Sequence, residues 1–359
     1  MTKLFPIQAT DYPSLAAFCS TFPGENLSSD MWERRFKFWW EENPVFTPDW
    51  VRGWVLLDGS RVAGMLADIP SRIQLLGHEV TVSNISTLRI LPMHRKETSF
   101  FLETLLAHAR ARPVFNTTSN PEMAAVLRSF RFRNLAEYFV EHLFVTDASF
   151  LARQLQQKKR LPWVLAFPVA RITRLTQQLR CRTGISKMEG LQVRILENSG
   201  PEFDRLWQKT DQLFSFTNRR MSCDLQWIVR ANPVRHLILF GCYDQNETLV
   251  GYGLFVRCPE EYPAKSFRLV CLDLWSERLT MPPYIALIRA AIRFSEQNHL
   301  SMTVVPQYDE IIGRAASLSG FPIRRTKPAA IYCRFPRGVT LGINSEKSRL
   351  SGYLGDAVL

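Results

Sequence analysis

The sequence predicts an α/β (α+β) protein of two tandem domains, each with a mixed, mostly antiparallel central sheet flanked by helices. The first observation is length, because 359 residues can bury two hydrophobic cores. The second is that the tripeptide Asn-Pro-Val begins at residues 43 and 232, and that Val-Ala-Gly at 62 matches Leu-Val-Gly at 249. The third is that strand, helix and turn signals follow the same order around both pairs, which indicates duplicated domains.

The first half shows signals for strands and helices in a fixed order. The predicted elements are a strand (4–7), two helices (11–22, 31–42), three strands (51–57, 61–69, 78–91), a helix (99–110), a strand (114–118), a helix (121–130) and a closing strand (133–145). Asp11 opens the first helix, and Asp30 is expected to cap the second. That helix ends at Asn43, because proline disfavours helix at the residue before it. Asp58-Gly59 indicates a hairpin turn.

The second half repeats this order. Its predicted elements are a strand (193–196), two helices (202–213, 224–231), three strands (236–243, 249–257, 267–274), a helix (284–298), a strand (302–305), a helix (309–318) and a closing strand (329–334). We therefore expect an N-terminal domain over residues 1–149, a connector over 150–190, a C-terminal domain over 191–336, and a polar, flexible tail over 337–359.

Composition narrows the class of protein. The 46% hydrophobic and 22% charged residues are typical of a globular protein, and the net charge of +12 favours acidic partners such as phosphates, CoA-type ligands or anionic membranes. No apolar stretch has the length of a spanning helix, and the N-terminus lacks a secretion signal, so a cytoplasmic location is expected. The cysteines and histidines are scattered without metal-ligand spacing, so we expect no metal.

Two apolar features have more than one interpretation. The prolines divide the connector into amphipathic pieces, which fit either a segment packed between the domains or an interfacial helix making peripheral membrane contact through residues 150–180. The aromatic side chains of the helix over 31–42 share one broad face; they are Trp32, Phe36, Trp39 and Trp40. Core or interdomain packing is expected there, with a stacking wall for a substrate as the alternative.

Two segments of the first half resemble the GNAT N-acetyltransferase superfamily. One reads Leu-Arg-Ile-Leu-Pro-Met-His-Arg-Lys-Glu-Thr-Ser-Phe over residues 88–100, and the other runs from Asn120 through Leu127 to Phe132. The family has an apolar strand, an Arg/Gly loop and a helix, and later an Asn-x-x-Ala-x-x-Leu-Tyr element. In the second half, Asp309 through Ala316 to Gly320-Phe321 is similar to this later element. The resemblance occurs once in each half, and the two copies together cover nearly the whole chain. The resemblance is to a tandem form of the superfamily with degenerate acyl-CoA motifs.

The resemblance implies a site for acetyl-CoA or another acyl-CoA as co-substrate in the first half. Anions bind at a helix N-terminus because backbone N–H groups and the helix dipole point at them. The implied cofactor-binding residues are Ile90, Leu91, Arg95, Lys96, Thr98, Ser99 and Asn120. The family's loop glycines are replaced here by Lys96, Thr98 and Phe100. The equivalent loop of the second half, residues 275–283, lacks the Arg/Gly pattern, and no CoA binding is expected there.

The family's reaction is attack of an amine on a thioester, which needs a base and a proton donor for the leaving thiolate. The donor is often a tyrosine at the position of Leu127, and Ala316 stands there in the second half. Tyr138 is the candidate donor. Glu137 and Glu141 share one face of the same predicted strand, and of the two Glu137 is the candidate base.

Three functions follow from this resemblance. The first is an acyltransferase moving an acetyl or acyl group from acyl-CoA to the amine of a small molecule or sugar. The second is a catalytically inactive GNAT-fold scaffold or binding protein. The third is a Fem-like aminoacyl-tRNA-dependent transferase, the one hypothesis with a nucleic-acid partner. The sequence does not decide the oligomeric state.

Overall fold

The structure is a computed structural model that describes residues 2–110, 112–183, 190–232, 236–259, 266–321, 323–336 and 348–350. Within these ranges the side chains of residues 136–139, 182–183, 231, 327–330 and 348 are outside the description. Pro233 and Val234 of the second Asn-Pro-Val lie outside the described residues. The predicted tail over 337–359 also lies outside them, except for residues 348–350.

The elements follow the predicted order in both halves. The first half contains β1 (Thr2–Pro6), α1 (Tyr12–Ser20), α2 (Ser29–Trp39), β2 (Gly53–Asp58), β3 (Arg61–Leu75), β4 (His78–Ile90), α3 (Thr98–His108), β5 (Val114–Asn116), α4 (Pro121–Ser129) and β6 (Arg133–Val145). The connector contains α5 (Ala148–Lys159) and α6 (Trp163–Thr183). The second half contains β7 (Gln192–Leu196), α7 (Pro201–Thr210), β8 (Phe216–Asn218), α8 (Ser222–Ala231), β9 (His236–Tyr243), β10 (Leu249–Pro259), β11 (Phe267–Ser276), α9 (Met281–Gln297), β12 (Met302–Pro306), α10 (Glu310–Leu318), β13 (Ile323–Arg334) and β14 (Ser348–Arg349).

The strands of both halves join in one sheet. Its order is β1-β2-β3-β4-β5-β13-β6-β12-β11-β10-β9-β7, with β8 pairing to β3 and β14 pairing to β8. The closing strands of the two halves cross over, because β13 lies between β5 and β6, while β6 lies between β13 and β12. Each half therefore completes its sheet with a strand that belongs to the other.

The helices cover the two faces of this sheet. On β2, Val55 packs with α1, α2 and α7, while Trp54 and Leu56 on the opposite face pack with α3 and α4. The first of these clusters contains buried side chains from both halves, so the expectation of a separate core in each half is wrong for this layer. A polar contact also crosses it, since the indole Nε1 of Trp227 donates to the carbonyl of Phe38 at 2.8 Å.

The aromatic face of α2 lies in this shared cluster. Trp32, Phe36, Trp39 and Trp40 are at most 2% exposed. They contact one another at ring-centroid distances between 5.7 and 6.1 Å. The prediction of core packing is confirmed, and the alternative of a substrate wall is wrong.

Three local expectations are corrected. Ser28, not Asp30, caps α2, because its hydroxyl accepts a hydrogen bond from the N–H of Met31 at 3.3 Å. Strand β3 continues to Leu75, beyond the predicted end at residue 69, and its last residues pair with β8. The short strands β8 and β14 had no sequence signal, because each pairs only over two or three residues.

The connector is a helical hairpin. Its helices α5 and α6 pack through small side chains, which are Ala148, Ala152, Ala166 and Ala170. Gln177 fixes α6 to β6, since its side chain bonds the N–H of Val145 at 3.0 Å and the carbonyl of Leu143 at 2.9 Å. Among the residues that the structure describes, no helix is both long and apolar enough to cross a membrane.

A buried carboxyl group on β3 predicts a pH dependence of stability. Burial raises the pKa of Asp68 to about 7, although the Arg112 guanidinium at 3.2 Å and the Ser83 hydroxyl at 3.0 Å oppose this shift. In the unfolded chain the pKa is about 3.9. Between these values the folded state binds more protons than the unfolded state, so the free energy of unfolding falls as pH rises from about 4 to 7, and this contribution is constant above 7.

We expect Asp68→Asn to remove this slope. The difference in free energy of unfolding between variant and wild type should change by roughly 4 kcal/mol at most between about pH 4 and 7, because a shift of one pKa unit corresponds to about 1.4 kcal/mol. Urea unfolding at several pH values between 4 and 8 measures it, with the exposed Glu42→Gln as control. An identical pH slope in Asp68→Asn and wild type would contradict the assignment.

Candidate functional site

The candidate site lies where β4 and β5 separate. These parallel strands pair only through Ser83–Val114 and Asn84–Phe115, although β4 continues to Ile90. Beyond the paired residues the strands are joined by one side chain, since the amide of Asn116 donates to the carbonyl of Ile85 at 3.1 Å. A cleft therefore opens between the carboxyl ends of two neighbouring strands.

A β-bulge lies at the mouth of this cleft. The register of β3 against β4 shifts between Met65 and Ala67, and Thr87 on β4 has a φ of 51°. A bulge leaves an extra residue out of the ladder and turns the strand, and bulges occur frequently next to active sites. The hydroxyl groups of Ser86 and Thr87 lie 3.1 Å apart at this point.

The second half has the same divergence and closes it. Strands β11 and β12 pair only through Leu269–Thr303 and Val270–Val304. The hydroxyl of Tyr308 lies 3.0 and 2.8 Å from the carbonyl oxygens of Cys271 and Leu272, on the strand that separates. A tyrosine ring thus occupies the space between the two strands.

The C-terminal segment adds a second closure. Arg349 on β14 is 1% exposed and donates to the hydroxyl of Tyr284 at 3.0 Å and to the carbonyl of Leu274. Its guanidinium also lies 3.1 Å from the carboxylate of Asp309, at the start of α10. The chain itself therefore fills the cleft of the second half.

Counterpart positions differ between the two halves. Asn120 caps α4 and Asp309 caps α10, so the residues just before them, Ser119 and Tyr308, are counterparts. Among the described residues Ser119 bonds to the side chain of Asn116, and a serine is too short to span the strands. The first half therefore has no tyrosine at the position from which Tyr308 reaches the separating strand of the second half.

The predicted cofactor loop is a tight turn. Residues Pro92–Glu97 form a 3₁₀ helix that leads directly into α3, and the N–H of His94 bonds to Leu91 while that of Thr98 bonds to Arg95. Because a 3₁₀ helix uses its N–H groups for internal bonds, few remain for an anion. The side chains of Arg95 and Lys96 are exposed, so cations are available where a backbone cradle is not.

The other predicted cofactor residues take different environments. Ile90 packs with α3 and α4, whereas Leu91 packs on the opposite face of the sheet with α1 and α2. Thr98 donates its hydroxyl to the carbonyl of Arg95 at 2.7 Å, and Ser99 is half-buried in the first turn of α3. The structure thus brings the residues before and after the turn to one edge of the sheet, with Leu91 facing away.

Asn120 lies at the same edge as the turn, since β4 and β5 are parallel. Its side-chain oxygen accepts from the N–H of Met123 at 2.7 Å, so it acts as a helix cap. Phe100 is 56% exposed and does not fill the space next to the turn. Glu97 is buried, and its Oε2 has no hydrogen-bond partner, which places a carboxylate close to where an anion would bind.

The equivalent turn of the second half cannot cradle an anion. Pro282 and Pro283 stand in the first turn of α9, and proline has no N–H to donate. Glu277 precedes them and adds a negative charge, which is partly compensated by Lys209 at 3.2 Å.

The predicted catalytic side chains lie outside the described residues. Glu137 and Tyr138 belong to β6, whose backbone pairs with β13 at this level, and nothing further is described for them. Glu141 on the same strand is buried and forms an ion pair with Arg325. Leu127, at the family's tyrosine position, is fully buried in the core.

Sequence reasoning missed an ion pair on the other face of β4. Partial burial alone would raise the pKa of Glu25, but the N–H of Leu27 at 2.9 Å and the Arg89 guanidinium at 2.5 Å hold the pKa below its ordinary value. The Glu25 carboxylate is therefore ionised, and both of its oxygens accept hydrogen bonds. Through Arg89, which lies two residues beyond Thr87 on β4, Glu25 fixes the loop between α1 and α2 to that strand. A carboxylate held in this way is a poor proton acceptor.

Among the described residues, no group of three or more His, Cys, Asp or Glu side chains is placed to hold a metal ion. Burial raises the pKa of Cys19 and Cys333 to about 12, which is characteristic of inert core thiols.

Solved structures with a similar fold include GCN5-related N-acetyltransferases and an N-myristoyltransferase. One from Kribbella flavida matches with a TM-score of 0.60 at 10% identity over 93% of this chain and 71% of its own. One from Anabaena variabilis matches with a TM-score of 0.56 at 12% identity over 93% of this chain and 73% of its own. The N-myristoyltransferase of Saccharomyces cerevisiae, solved with bound myristoyl-CoA, matches with a TM-score of 0.53 at 9% identity over 97% of this chain and 86% of its own.

These likenesses show the fold. The predicted α/β class is confirmed, and the fold is the one that the resemblance to the GNAT superfamily implies. No protein-family model matches the sequence, and no curated protein sequence matches it either.

Proposed function

We propose that this protein transfers an acyl group from acyl-CoA to an amine, and that the first half holds the acyl-CoA. The observation that carries the proposal is the open, bulged separation of β4 and β5, beside a second separation closed by Tyr308 and Arg349. We favour the amine of a small molecule or sugar as the acceptor.

Different residues of the first half would contact the apolar part and the charged part of acyl-CoA. Apolar side chains of β4 and α4 border the cleft and suit a pantetheine arm and acyl chain; they are Leu88, Ile90, Met123 and Val126. The diphosphate would rest on the exposed side chains of Arg95 and Lys96, because the 3₁₀ turn uses its own N–H groups. Guanidinium and ammonium groups bind phosphate through charge-assisted hydrogen bonds.

Catalysis needs a group that stabilises the leaving thiolate, a base and a proton donor. The thioester supplies an electrophilic carbonyl when it is bound. We assign to the Thr87 hydroxyl a role in donating a hydrogen bond toward the leaving sulfur, because it stands at the bulge. Glu137 remains the proposed base and Tyr138 the proposed proton donor, both on β6.

Binding of acetyl-CoA and palmitoyl-CoA, measured by isothermal titration calorimetry, tests the proposal. Ser119→Tyr should abolish binding, because it places in the first cleft the ring that closes the second, whereas Ser119→Ala should retain it. Arg95→Ala and Lys96→Ala should each weaken binding at least about tenfold, since each removes one contact of roughly 1.5–3 kcal/mol to a charged group. Thr173→Ala on the connector is the surface control.

The outcomes separate the functions. Binding that Ser119→Tyr abolishes would support the cleft as the site, and an acceptor screen with Glu137→Gln and Tyr138→Phe would follow. Absence of binding for every acyl-CoA would contradict the enzyme and favour a scaffold. Binding that is unchanged in Ser119→Tyr would place the site elsewhere.

A further inference from the structure

Helix α6 carries an exposed apolar stripe along its length. Its members are between 46% and 75% exposed; they are Val164, Leu165, Val169, Ile172, Leu175 and Leu179. At about 100° per residue they fall within an arc of roughly 140°. The stripe runs about 22 Å along the helix, because each residue adds about 1.5 Å.

The stripe is not needed to hold the hairpin together. The opposite side of α6 is buried through Ala166, Ala170 and Gln177 against α5 and β6. The large apolar side chains therefore face solvent although the small ones are buried. A contiguous exposed apolar patch on a protein surface indicates an interaction site.

The charges that the hairpin itself carries have one sign, and the carboxylate of Glu296 on α9 lies 3.7 Å from Arg174 beside it. Residues 148–183 contain eight Arg and Lys residues and no Asp or Glu. Lys158, Lys159 and Arg160 are exposed at the tip of the hairpin, next to Trp163. Arg171 and Arg180 are exposed on α6 and border the stripe on either side.

We propose that the α5–α6 hairpin docks this protein on an anionic lipid bilayer, with α6 lying in the plane of the interface. A helix with an apolar face, basic flanks and an aromatic residue near one end has the properties of interfacial helices. Clustered basic side chains add attraction to anionic headgroups. Docking goes beyond acyl transfer and does not depend on it.

A second copy of the chain fits this face less well. Pairing two stripes would bring two sets of cations together, with no carboxylate in either segment to offset the repulsion. A bilayer of anionic lipids supplies both the apolar layer and the opposite charge, over the full length of the stripe.

Flotation of the full-length protein with vesicles tests docking. Vesicles of phosphatidylcholine with 30% phosphatidylglycerol are compared with phosphatidylcholine alone, and we expect the protein to bind the anionic vesicles at least about tenfold more tightly. The double variant Ile172→Asp/Leu175→Asp should lose binding at least tenfold, and Lys158→Gln/Lys159→Gln should weaken it about tenfold. Leu318→Asp, which changes an apolar residue 48% exposed on α10, is the matched control and should bind normally.

The result can overturn the proposal in two ways. Flotation that is absent with anionic vesicles, or equal in Ile172→Asp/Leu175→Asp and wild type, contradicts docking through α6. A dimer in analytical ultracentrifugation that the same double variant converts to a monomer, without vesicle binding, would assign the stripe to contacts between copies. Circular dichroism of each variant verifies that it is folded.

Discussion

Replacing Asp273 with asparagine should lower the free energy of unfolding by about 3–5 kcal/mol, because it leaves a buried guanidinium without its counter-ion. Asp273 and Arg220 are both 0% exposed in their side chains, and their ion pair has N–O distances of 2.8 and 3.2 Å. The Tyr252 hydroxyl donates to the same carboxylate at 2.6 Å. An asparagine of the same shape keeps the packing and removes the charge.

The surrounding groups increase the cost of Asp273→Asn. Arg349 is a second buried cation nearby, and both guanidinium groups lie over the ring of Trp275, at 3.8 Å for Arg220 and 4.9 Å for Arg349. Without the Asp273 carboxylate, Asp309, which lies 3.1 Å from Arg349, would remain to offset two neighbouring guanidinium groups, and Arg220 would lose its own counter-ion. Equilibrium urea unfolding followed by tryptophan fluorescence measures the loss.

The control is an ion pair of similar length on the surface. Arg194 and Glu247 lie 2.6 Å apart and are 46% and 58% exposed, so Glu247→Gln should leave the unfolding midpoint unchanged. Adding Arg220→Met to Asp273→Asn should recover part of the stability, because an apolar side chain needs no counter-ion. A loss below 1 kcal/mol for Asp273→Asn would contradict the role assigned to this pair.

The local elements could be predicted from sequence because their signals are short-range. Asp58-Gly59 gives a hairpin turn, and Asn120 and Asp309 cap helices that begin one residue later. Apolar periodicity located most strands of the sheet and most helices within a few residues. Caps were less certain, since Ser28 and Asp30 are both good capping residues and only the backbone geometry separates them.

Long-range pairing could not be predicted in the same way. The sequences of β6 and β13 do not say which strand lies beside them, and their exchange between the halves is decided by packing over the whole sheet. The closure of the second cleft had one signal, the tyrosine before Asp309, which gains meaning only when compared with Ser119. Arg349 had none, because a lone arginine near a polar C-terminus carries no pattern.

Strand exchange predicts that the first half, residues 1–149, does not fold by itself. In that fragment β6 would lose both of its neighbours, β12 and β13, and β5 would lose one. The buried side chains shared between the halves would also meet water, including Phe38, which stacks on Trp227 at 4.8 Å. Unpaired edge strands and exposed apolar surface favour aggregation over a folded monomer.

Expression of the intact chain and of three fragments tests this expectation. The fragment 1–149 should be insoluble or lack a cooperative thermal transition, whereas fragments 1–160 and 161–359 produced together should form a soluble complex, since the cut lies at the exposed tip of the α5–α6 hairpin. The intact chain is the reference for circular dichroism and for the thermal midpoint. A monomeric fragment 1–149 with a cooperative transition near that of the intact chain would show that the halves fold independently, and that the crossed strands β6 and β13 add contacts without being required for the fold.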